Sequence, residues 1–254
     1  MTDDHARDAG APTTVVLVHH AAGGASDWRE LRERLEPGVE VWAPDFPGHG
    51  ALLHERPLET IDAMVEWLAG RMRERSIVRA VVAGHSMGGA VALRLALQHP
   101  ELVGGLALVS TGARLRVARA LLQLVREHFS ELPQRMVSLG FSPSADPEVV
   151  RRWVEGPWPA TPAAAVADFA ACDGFDVRSR LSEVRVPAVV MVGEDDVMTP
   201  PKLSRELAAG IAGARLRVFP SCGHLLLWER PAELAEEIRR LCAVAGGGPG
   251  RGDG

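Results

Sequence analysis

Six short, mostly apolar runs alternate with stretches of helical periodicity along most of this chain of 254 residues. The runs occupy residues 13–20, 39–46, 78–84, 104–111, 186–193 and 214–221. A strand with one face in water alternates apolar and polar residues, whereas a strand of a parallel sheet, covered on both faces, is apolar throughout. The pattern therefore predicts an α/β fold, with a mostly parallel sheet of about six strands and helices on both faces.

The alternation breaks between residues 112 and 180, which contain no strand-like run. This stretch begins with the amphipathic VARALLQLVREHFSEL and continues into the proline-rich EGPWPATPAAAVADFAA. We expect a helical insertion, called here the cap segment (residues 112–180), in a core formed by residues 1–111 and 181–254. The segment either adds packing to the core or covers an active site. The polar start (1–12) and the glycine-rich end (246–254) are expected to be disordered.

Composition narrows the classes of function. With 46% hydrophobic residues, the chain can bury one sizeable core. Its net charge is −5 and like charges do not cluster, so neither nucleic acid nor a membrane is an expected partner. Cys172, Cys222 and Cys242 form no CxxC pair, which argues against a disulfide framework or a structural zinc site. With no signal-peptide pattern at the N-terminus, they favour a cytoplasmic location. The single lysine, Lys202, argues against a P-loop or a Ser-Lys dyad.

The stretch GHSMGG, residues 84–89, joins the third apolar run to a helical stretch. A serine in a tight strand-to-helix turn takes a sparsely allowed conformation that raises its hydroxyl into a pocket. Side chains at the flanking positions would clash with nearby backbone, which explains Gly84 and Gly88. The following helix points its N-terminal N–H groups at the same place, where they favour a developing oxyanion. We therefore interpret Ser86 as a nucleophile; the alternative is a packing turn with an incidental serine.

A nucleophilic serine needs a base, and His99, His128 and His224 follow Ser86 in the chain. His99 ends the helix that Ser86 begins and, at about 1.5 Å per residue, lies too far along the axis to reach back. His128 lies in the cap segment. His224 follows the last apolar run, where a loop reaches the carboxyl edge of the sheet, the edge at which sites of α/β proteins form. We therefore predict His224 as the general base.

The acid of the triad should lie between the serine and the histidine in the chain, on a loop at the same edge. The loop after the fifth apolar run, in VGEDDVMTP, supplies Glu194, Asp195 and Asp196. Spacing alone does not separate Asp195 from Asp196. The loop after the fourth run carries no acid. The remaining candidates, all in or near the cap segment, are weaker: Asp146, Asp168, Asp173 and Asp176.

These residue types predict a mechanism that requires no cofactor or metal. His224 takes the proton of Ser86, a carboxylate holds the imidazole tautomer, and an acyl-enzyme forms and is hydrolysed. The oxyanion needs two N–H donors. We expect one from Met87 and one from the loop HHAAGG after the first apolar run; an ordinary glycine turn is the alternative for that loop.

The stretches LVHHAAGG, PDFPGHG, GHSMGG, VPAVVMVGEDDVMTPP and SCGHLLLWERP follow one another in this order. In that order and spacing the chain resembles α/β-hydrolase-fold serine hydrolases over nearly its whole length. The resemblance implies the hydrolase fold, and its G-x-x-D pattern implies Asp196 rather than Asp195 as the acid. Its histidine–glycine oxyanion loop implies Ala21 as the donor beside Met87. The family usually has glycine where this chain has His20, a bulk that narrows the pocket or reorients the loop.

The stretch DFAACDGFDVRSRLSEVRVPAVVMVGEDD resembles bacterial esterases and enol-lactone or carbon–carbon bond hydrolases. We therefore expect a hydrolase of carboxylic esters that acts on a small or hydrophobic small molecule. The alternatives are hydrolysis of a carbon–carbon bond, enol-lactone or thioester by the same triad, and more remotely a non-enzymatic ligand receptor on this fold. His19 and His49 are expected to be structural. The expected pocket residues, of which the two aromatic ones have core packing as an alternative, are His20, His85, Trp158, Phe169 and Leu225.

Overall fold

Six parallel strands form one sheet in a computed structural model that describes residues 14–36 and 38–246. The strands are β1 (Thr14–Val18), β2 (Glu40–Trp42), β3 (Ala80–His85), β4 (Val103–Val109), β5 (Ala188–Gly193) and β6 (Arg215–Phe219). They lie in the order β2-β1-β3-β4-β5-β6, and every neighbouring pair is parallel. The predicted α/β fold is therefore confirmed, with six strands in the described part of the chain.

Helices connect the strands on both faces of the sheet. Those of the core are α1 (Arg29–Leu35), α2 (Ile61–Glu74), α3 (Met87–Gln98), α8 (Pro201–Gly210), α9 (Leu226–Glu229) and α10 (Pro231–Gly246). The cap segment contains α4 (Arg119–Glu127), α5 (Leu132–Gly140), α6 (Pro147–Glu155) and α7 (Pro162–Asp173).

Adjacent residues of the inner strands bury their side chains on opposite sides of the sheet. Val16 of β1 and Val82 of β3 pack on one side, in a cluster that includes Leu68 of α2. Val15 and Val81, from the same strands, pack on the other side with residues of α1 and α10. Because both sides are covered, these strands need apolar residues at every position, which is the pattern seen in the sequence.

The parallel arrangement brings the loops that carry the candidate catalytic residues to one place. Because β3, β5 and β6 run in the same direction, the loops that follow them all leave the carboxyl edge of the sheet. These loops carry Ser86, Asp196 and His224, respectively. The loop after β1, which includes Ala21, leaves the same edge. Ligand sites of α/β proteins form at this edge.

The cap segment leaves and re-enters the core through a narrow neck. Its two ends run side by side, joined by backbone hydrogen bonds from Leu115 N–H to Phe175 O (3.2 Å) and from Val177 N–H to Ala113 O (2.8 Å). Between these ends the chain forms α4 to α7. The segment is therefore a helical excursion between β4 and β5 that leaves the sheet itself uninterrupted.

The helices of the cap segment cover the carboxyl edge of the sheet. Leu132, Met136 and Phe169 belong to a hydrophobic cluster that also contains Ala22 and Leu225, which lie in the loops after β1 and β6. The cap segment therefore packs on the loops that surround the candidate site.

Backbone hydrogen bonds tie the cap segment to a second core loop, residues 47–50. Gly50 N–H donates to Pro159 O at 2.6 Å, and Thr161 N–H donates to Gly48 O at 3.1 Å. The PGHG turn seen in the sequence is thus a docking point for the cap segment.

The expected disorder of residues 1–12 and 246–254 falls outside the described residues, except that Gly246 ends α10. Among the helices of the described ranges, none combines the length and the apolar character needed to cross a membrane.

Candidate active site

Ser86 occupies a strained turn between β3 and α3. Its φ of 54° is one that residues with a side chain rarely adopt. A Cβ at position 84 would clash with the carbonyl of Gly88, and a Cβ at position 88 would clash with the carbonyl of Val18. The turn therefore excludes side chains at both glycines, for the steric reason that the sequence suggested.

The neighbouring strand holds the backbone of this turn on two sides. Ser86 N–H donates to Val109 O at 2.9 Å, and the hydroxyl of Thr111 donates to Ser86 O at 2.8 Å. A Cβ at Gly89 would meet the Thr111 side chain at 2.6 Å, so this glycine makes room for the threonine. Such over-determined support is what keeps a strained residue in place.

The loops after β5 and β6 bring Asp196 and His224 together. His224 Nδ1 lies 2.9 Å from Asp196 Oδ2 and 3.1 Å from Oδ1. Both residues are buried, and His224 lines the same cavity as Ser86. A carboxylate in this position stabilises the tautomer with a proton on Nδ1, which leaves Nε2 free to accept one.

Three donors besides the histidine hold Asp196 as a carboxylate. The N–H groups of Met198 and Thr199 donate to Oδ1 at 3.0 and 2.8 Å, and the Thr199 hydroxyl donates to Oδ2 at 2.8 Å. Burial acts to raise the pKa of Asp196, but the charge of His224 and these hydrogen bonds outweigh it and lower the pKa. Asp196 is therefore ionised across the neutral range.

The two acids next to Asp196 point elsewhere. Asp195 Oδ2 accepts a hydrogen bond from the hydroxyl of Ser142 in the cap segment at 2.6 Å. Glu194 is exposed. Of the three acids that the sequence offered in this loop, the structure brings Asp196 to the imidazole.

In the loop after β1, most backbone N–H groups already have partners. Ala22 N–H donates to Asp168 Oδ2 at 2.8 Å, Gly23 N–H to His20 O at 3.0 Å, and Gly24 N–H to Asp27 Oδ2 at 2.8 Å. Ala21 lines the cavity with Ser86 and has no such bond among the described residues.

Met87 begins α3 directly after Ser86, so its N–H precedes the first intrahelical bond. Ala21 N–H and Met87 N–H, the two donors expected from the sequence, are thus both without a backbone partner among the described residues.

His85 lies behind the cavity wall rather than in it, which differs from the expectation that it lines the pocket. It is fully buried, and its Nε2 donates to the backbone carbonyl of His224 at 2.8 Å. Burial, together with the imidazoles of His224 and His20, lowers the pKa of His85 well below its usual value. Neutral His85 therefore fixes the loop that carries His224. It is directed inward because alternate residues of a strand face opposite sides.

His20 lines the cavity, with both ring nitrogens near oxygen atoms. Its Nδ1 lies 2.9 Å from Ala21 O and its Nε2 lies 3.4 Å from Asp27 Oδ2, so both ring nitrogens face acceptors. Burial alone would lower the pKa of His20, but the hydrogen bond and charge of Asp27 raise it above the usual value. An imidazolium is the form that suits these neighbours.

The cavity at Ser86 is mostly apolar. Four of the five expected pocket residues line it, namely His20, Trp158, Phe169 and Leu225, together with Leu132, Met136, Trp153 and Met198. A wider groove adjoins it and shares His20, Ala22, Trp153 and Trp158 with it. The groove also has charged walls, from Asp27, Arg29, Arg152 and Glu155.

The remaining histidines near the site have structural contacts. His19 Nδ1 donates to His20 O at 2.9 Å, and its Nε2 accepts from Phe46 N–H at 3.2 Å, which fixes a neutral tautomer. His49 Nε2 lies 2.9 Å from Asp168 Oδ2 in a fully enclosed ion pair. No cluster of metal-ligating side chains occurs among residues 14–36 and 38–246.

Sequence reasoning missed Thr199 and Glu229. Thr199 stands three residues after Asp196, a spacing at which an aspartate commonly accepts backbone N–H groups, so a local signal was present. Glu229 accepts the N–H of Gly223, next to His224, at 2.8 Å. Burial raises the pKa of Glu229. Its role depends on how α9 folds back, which leaves no pattern in the sequence.

Comparison with known proteins identifies the family of the chain. Residues 15–237 match the sequence profile of the alpha/beta hydrolase family. A pimeloyl-[acyl-carrier protein] methyl ester esterase from Nitrosomonas europaea is 30% identical, over 88% of this chain and 93% of its own. A 2-hydroxy-6-oxo-6-phenylhexa-2,4-dienoate hydrolase from Comamonas testosteroni is 28% identical, over 93% of this chain and 88% of its own.

A solved structure is similar over nearly the same length. A thermophilic esterase from Thermogutta terrifontis superposes with a TM-score of 0.85 at 26% identity, covering 94% of this chain and 92% of that chain. The family match spans most of the chain, and these relatives are hydrolases with the same fold. The chain therefore belongs to the alpha/beta hydrolase family of enzymes.

Proposed function

We propose that the protein is a serine hydrolase that cleaves carboxylic esters of small or hydrophobic molecules through an acyl-enzyme. The observation that carries the proposal is the pairing of Asp196 with His224 at 2.9 Å, beside a cavity that the strained Ser86 also lines. A nucleophile, a base and an orienting carboxylate in this arrangement are what acyl transfer requires.

In this mechanism the Ser86 hydroxyl attacks the ester carbonyl while His224 Nε2 takes its proton. The tetrahedral oxyanion is bound by the N–H groups of Ala21 and Met87. His224 then protonates the leaving alcohol, and an acyl-enzyme remains. Water, deprotonated by His224, attacks the acyl carbon and releases the acid and free Ser86, and no cofactor takes part.

The cavity supports an apolar acyl group, because leucine, methionine and aromatic side chains form most of its wall. The esterase relatives from Nitrosomonas europaea and Thermogutta terrifontis also favour ester cleavage. The dienoate hydrolase of Comamonas testosteroni supports the second candidate, cleavage of a carbon–carbon bond, enol-lactone or thioester by the same residues. We place the enzyme in the cytoplasm, which suits three free, buried cysteines.

A fluorophosphonate probe tests the nucleophile directly. We expect the wild type to be labelled on Ser86, and Ser86→Ala and His224→Ala to lose labelling and at least about 10⁴-fold in kcat. Ser110→Ala is the matched control, because Ser110 also follows a strand of this sheet, is buried and has a positive φ, 45°. Full labelling of Ser110→Ala is expected.

The bond type is tested with p-nitrophenyl esters from acetate to laurate, alongside an enol-lactone, an aryl thioester and a vinylogous 1,5-diketone. The proposal expects the highest kcat/KM on an ester. Labelling without turnover of any ester would overturn ester hydrolysis, and a preference for another bond would establish the second candidate. Absence of labelling in the wild type would indicate a receptor rather than an enzyme.

A further inference from the structure

We propose that Asp168, on helix α7 of the cap segment, is a positioning residue that fixes the oxyanion loop by accepting a hydrogen bond from Ala22 N–H. This inference rests on the proposed function, because it assigns Ala21 N–H to the oxyanion.

Asp168 reaches the loop across a long separation in sequence. Its Oδ2 accepts from Ala22 N–H at 2.8 Å, between residues that are 146 positions apart. The same oxygen lies 2.9 Å from His49 Nε2. Asp168 is fully buried, and its Oδ1 has no hydrogen bond among the described residues. Burying a carboxylate costs folding free energy unless the group is hydrogen-bonded. The bonds from Ala22 N–H and His49 Nε2 offset that cost for Asp168.

The bonded N–H belongs to the peptide unit that follows the proposed donor. This peptide, between Ala21 and Ala22, is held at both polar ends: its carbonyl faces His20 Nδ1 at 2.9 Å, and its N–H donates to Asp168. Ala22 itself has a φ of 58°, a strained value for a residue with a Cβ. The two contacts keep the loop in that conformation, which holds Ala21 N–H in place beside the cavity.

His49 compensates the charge of Asp168. Its Nδ1 lies 3.2 Å from Pro47 O and its Nε2 faces the carboxylate, so both ring nitrogens act as donors. The ring of His19, in its neutral tautomer, packs against it with 4.7 Å between centroids. The pair can therefore remain buried, with each polar contact directed at the loop or the PGHG turn.

The consequence is that the cap segment forms part of the catalytic apparatus. Backbone hydrogen bonds already dock residues 159–161 on the loop at 47–50. Asp168 extends this docking to the loop after β1, so the oxyanion site is complete only when α7 lies in the position described. Binding of substrate under the cap segment and stabilisation of the oxyanion are thereby coupled.

Three variants test the assignment. Asp168→Ala removes the acceptor. Asp168→Asn keeps it, since an amide oxygen in the place of Oδ2 accepts from Ala22 N–H and from Nε2–H of His49, while the amide NH₂ takes the place of Oδ1. The matched control is Asp173→Ala, on the same helix, which removes a carboxylate that accepts Val117 N–H at 3.0 Å within the cap segment.

We expect Asp168→Ala to lower kcat on p-nitrophenyl acetate about 10- to 100-fold, with KM within about threefold, because only the transition state uses the oxyanion donors. Affinity for a trifluoromethyl ketone, which forms the oxyanion on the enzyme, should fall in parallel. Asp168→Asn and Asp173→Ala should retain kcat and ketone affinity within about threefold of the wild type.

Wild-type kcat in Asp168→Ala, a change confined to KM, or an Asp168→Asn variant as slow as Asp168→Ala would each overturn the inference. If Asp168→Ala does not fold, Asp168→Leu, which fills the space without an acceptor, is measured in its place. The Ala22 amide provides a readout independent of activity: slow hydrogen exchange in the wild type is expected, and fast exchange contradicts the contact. A wild type that turns over no ester refutes the proposed function while this amide measurement still decides the contact.

Discussion

Among single residues, His20 is one of four that line both of two adjoining compartments with different chemistry. On one side is the apolar cavity at Ser86, and on the other is the groove with charged walls. Its contacts with Ala21 O and Asp27 hold the ring in this position. A glycine here would join the two compartments, so His20 is expected to set the length of the acyl chain that the enzyme accepts.

We predict that His20→Gly raises the ratio of kcat/KM for p-nitrophenyl laurate to that for the acetate by about tenfold. The space left by the imidazole would admit a few more methylene groups of the acyl chain. The ratio is measured under single-substrate conditions with purified variants. His20→Leu is the control, because it keeps the bulk and removes the polar ring nitrogens, and its chain-length preference should stay that of the wild type. Broadened specificity in His20→Leu would mean that the polarity of the side chain, not its volume, limits the substrate.

Some residues of the candidate site could be predicted from the sequence and others could not. Ser86 and His224 could be predicted because a turn between a strand and a helix and a single suitable histidine leave local signals. Spacing alone left Asp195 and Asp196 unresolved, because adjacent residues of a loop can both reach the edge. The link between Asp168 and Ala22 leaves no such signal, since a backbone N–H is present at every non-proline residue.

Among the connections between elements, the one from β3 to α3 is closely packed against backbone on both of its glycines. The carbonyl of Val18, in the neighbouring strand, lies against Gly88, and the carbonyl of Gly88 lies against Gly84. Close packing of this kind ties the turn to β1, so that Ser86 and the loop after β1 keep their relative positions.

We predict that Gly88→Ala loses more than about 2 kcal/mol of unfolding free energy, because backbone rather than a flexible side chain blocks the new methyl group. Urea denaturation measures the loss. Gly174→Ala is the matched control, since the nearest atom to its added Cβ is 3.7 Å away, in ordinary contact. Equal stability of the two variants would show that the turn relaxes at little cost.

The elements of the sheet were predictable for a reason that does not extend to the cap segment. A strand buried on both faces must be apolar at every position, so β1, β3, β4 and β5 stand out in the sequence. The helical nature of residues 112–180 could be predicted from their amphipathic stretches. How α7 docks could not, because it depends on hydrogen bonds that Asp168 and the residues before α7 make with the backbone of loops more than 100 residues away.

For the molecule as a whole, four buried histidines make the free energy of unfolding depend on pH. Two of them have a pKa above the usual value of 6.5 and two have a pKa below it. Burial acts to lower the pKa of His49, but the hydrogen bond and the charge of Asp168 outweigh it, so the net pKa of His49 is raised. The pKa of His20 is raised in the same way by Asp27. Burial lowers the pKa of His19 and His85 well below the usual value.

The free energy of unfolding should therefore be greatest near pH 6.5 and fall on either side. His20 and His49, whose pKa is raised by folding, stabilise the folded protein fully at a pH below their pKa in the unfolded chain. This contribution is lost as the pH rises through their pKa in the folded protein. His19 and His85 act on the acid side, because the unfolded chain binds protons that the folded protein excludes.

Denaturant titrations across pH measure both limbs of this profile. His49→Gln should reduce the slope of the alkaline limb, and also that of the acid limb, because the charge of His49 helps to lower the pKa of the neighbouring His19. His54→Gln, at an exposed position, should change neither limb. An alkaline limb that persists unchanged in His49→Gln would assign it to other groups.

Because the two ends of the cap segment lie side by side, the whole segment could be replaced by another without changing the sheet. Its ends meet at two hydrogen bonds, between Leu115 and Phe175 and between Ala113 and Val177, and closing a longer or shorter loop across the same gap costs little more. Segments of other lengths and sequences could therefore be exchanged at this point, altering which substrates enter while the sheet and its chemistry persist. Such exchange would succeed only with segments that bring an acceptor for Ala22 N–H, so a single hydrogen bond limits how freely new specificities can be recombined onto this core.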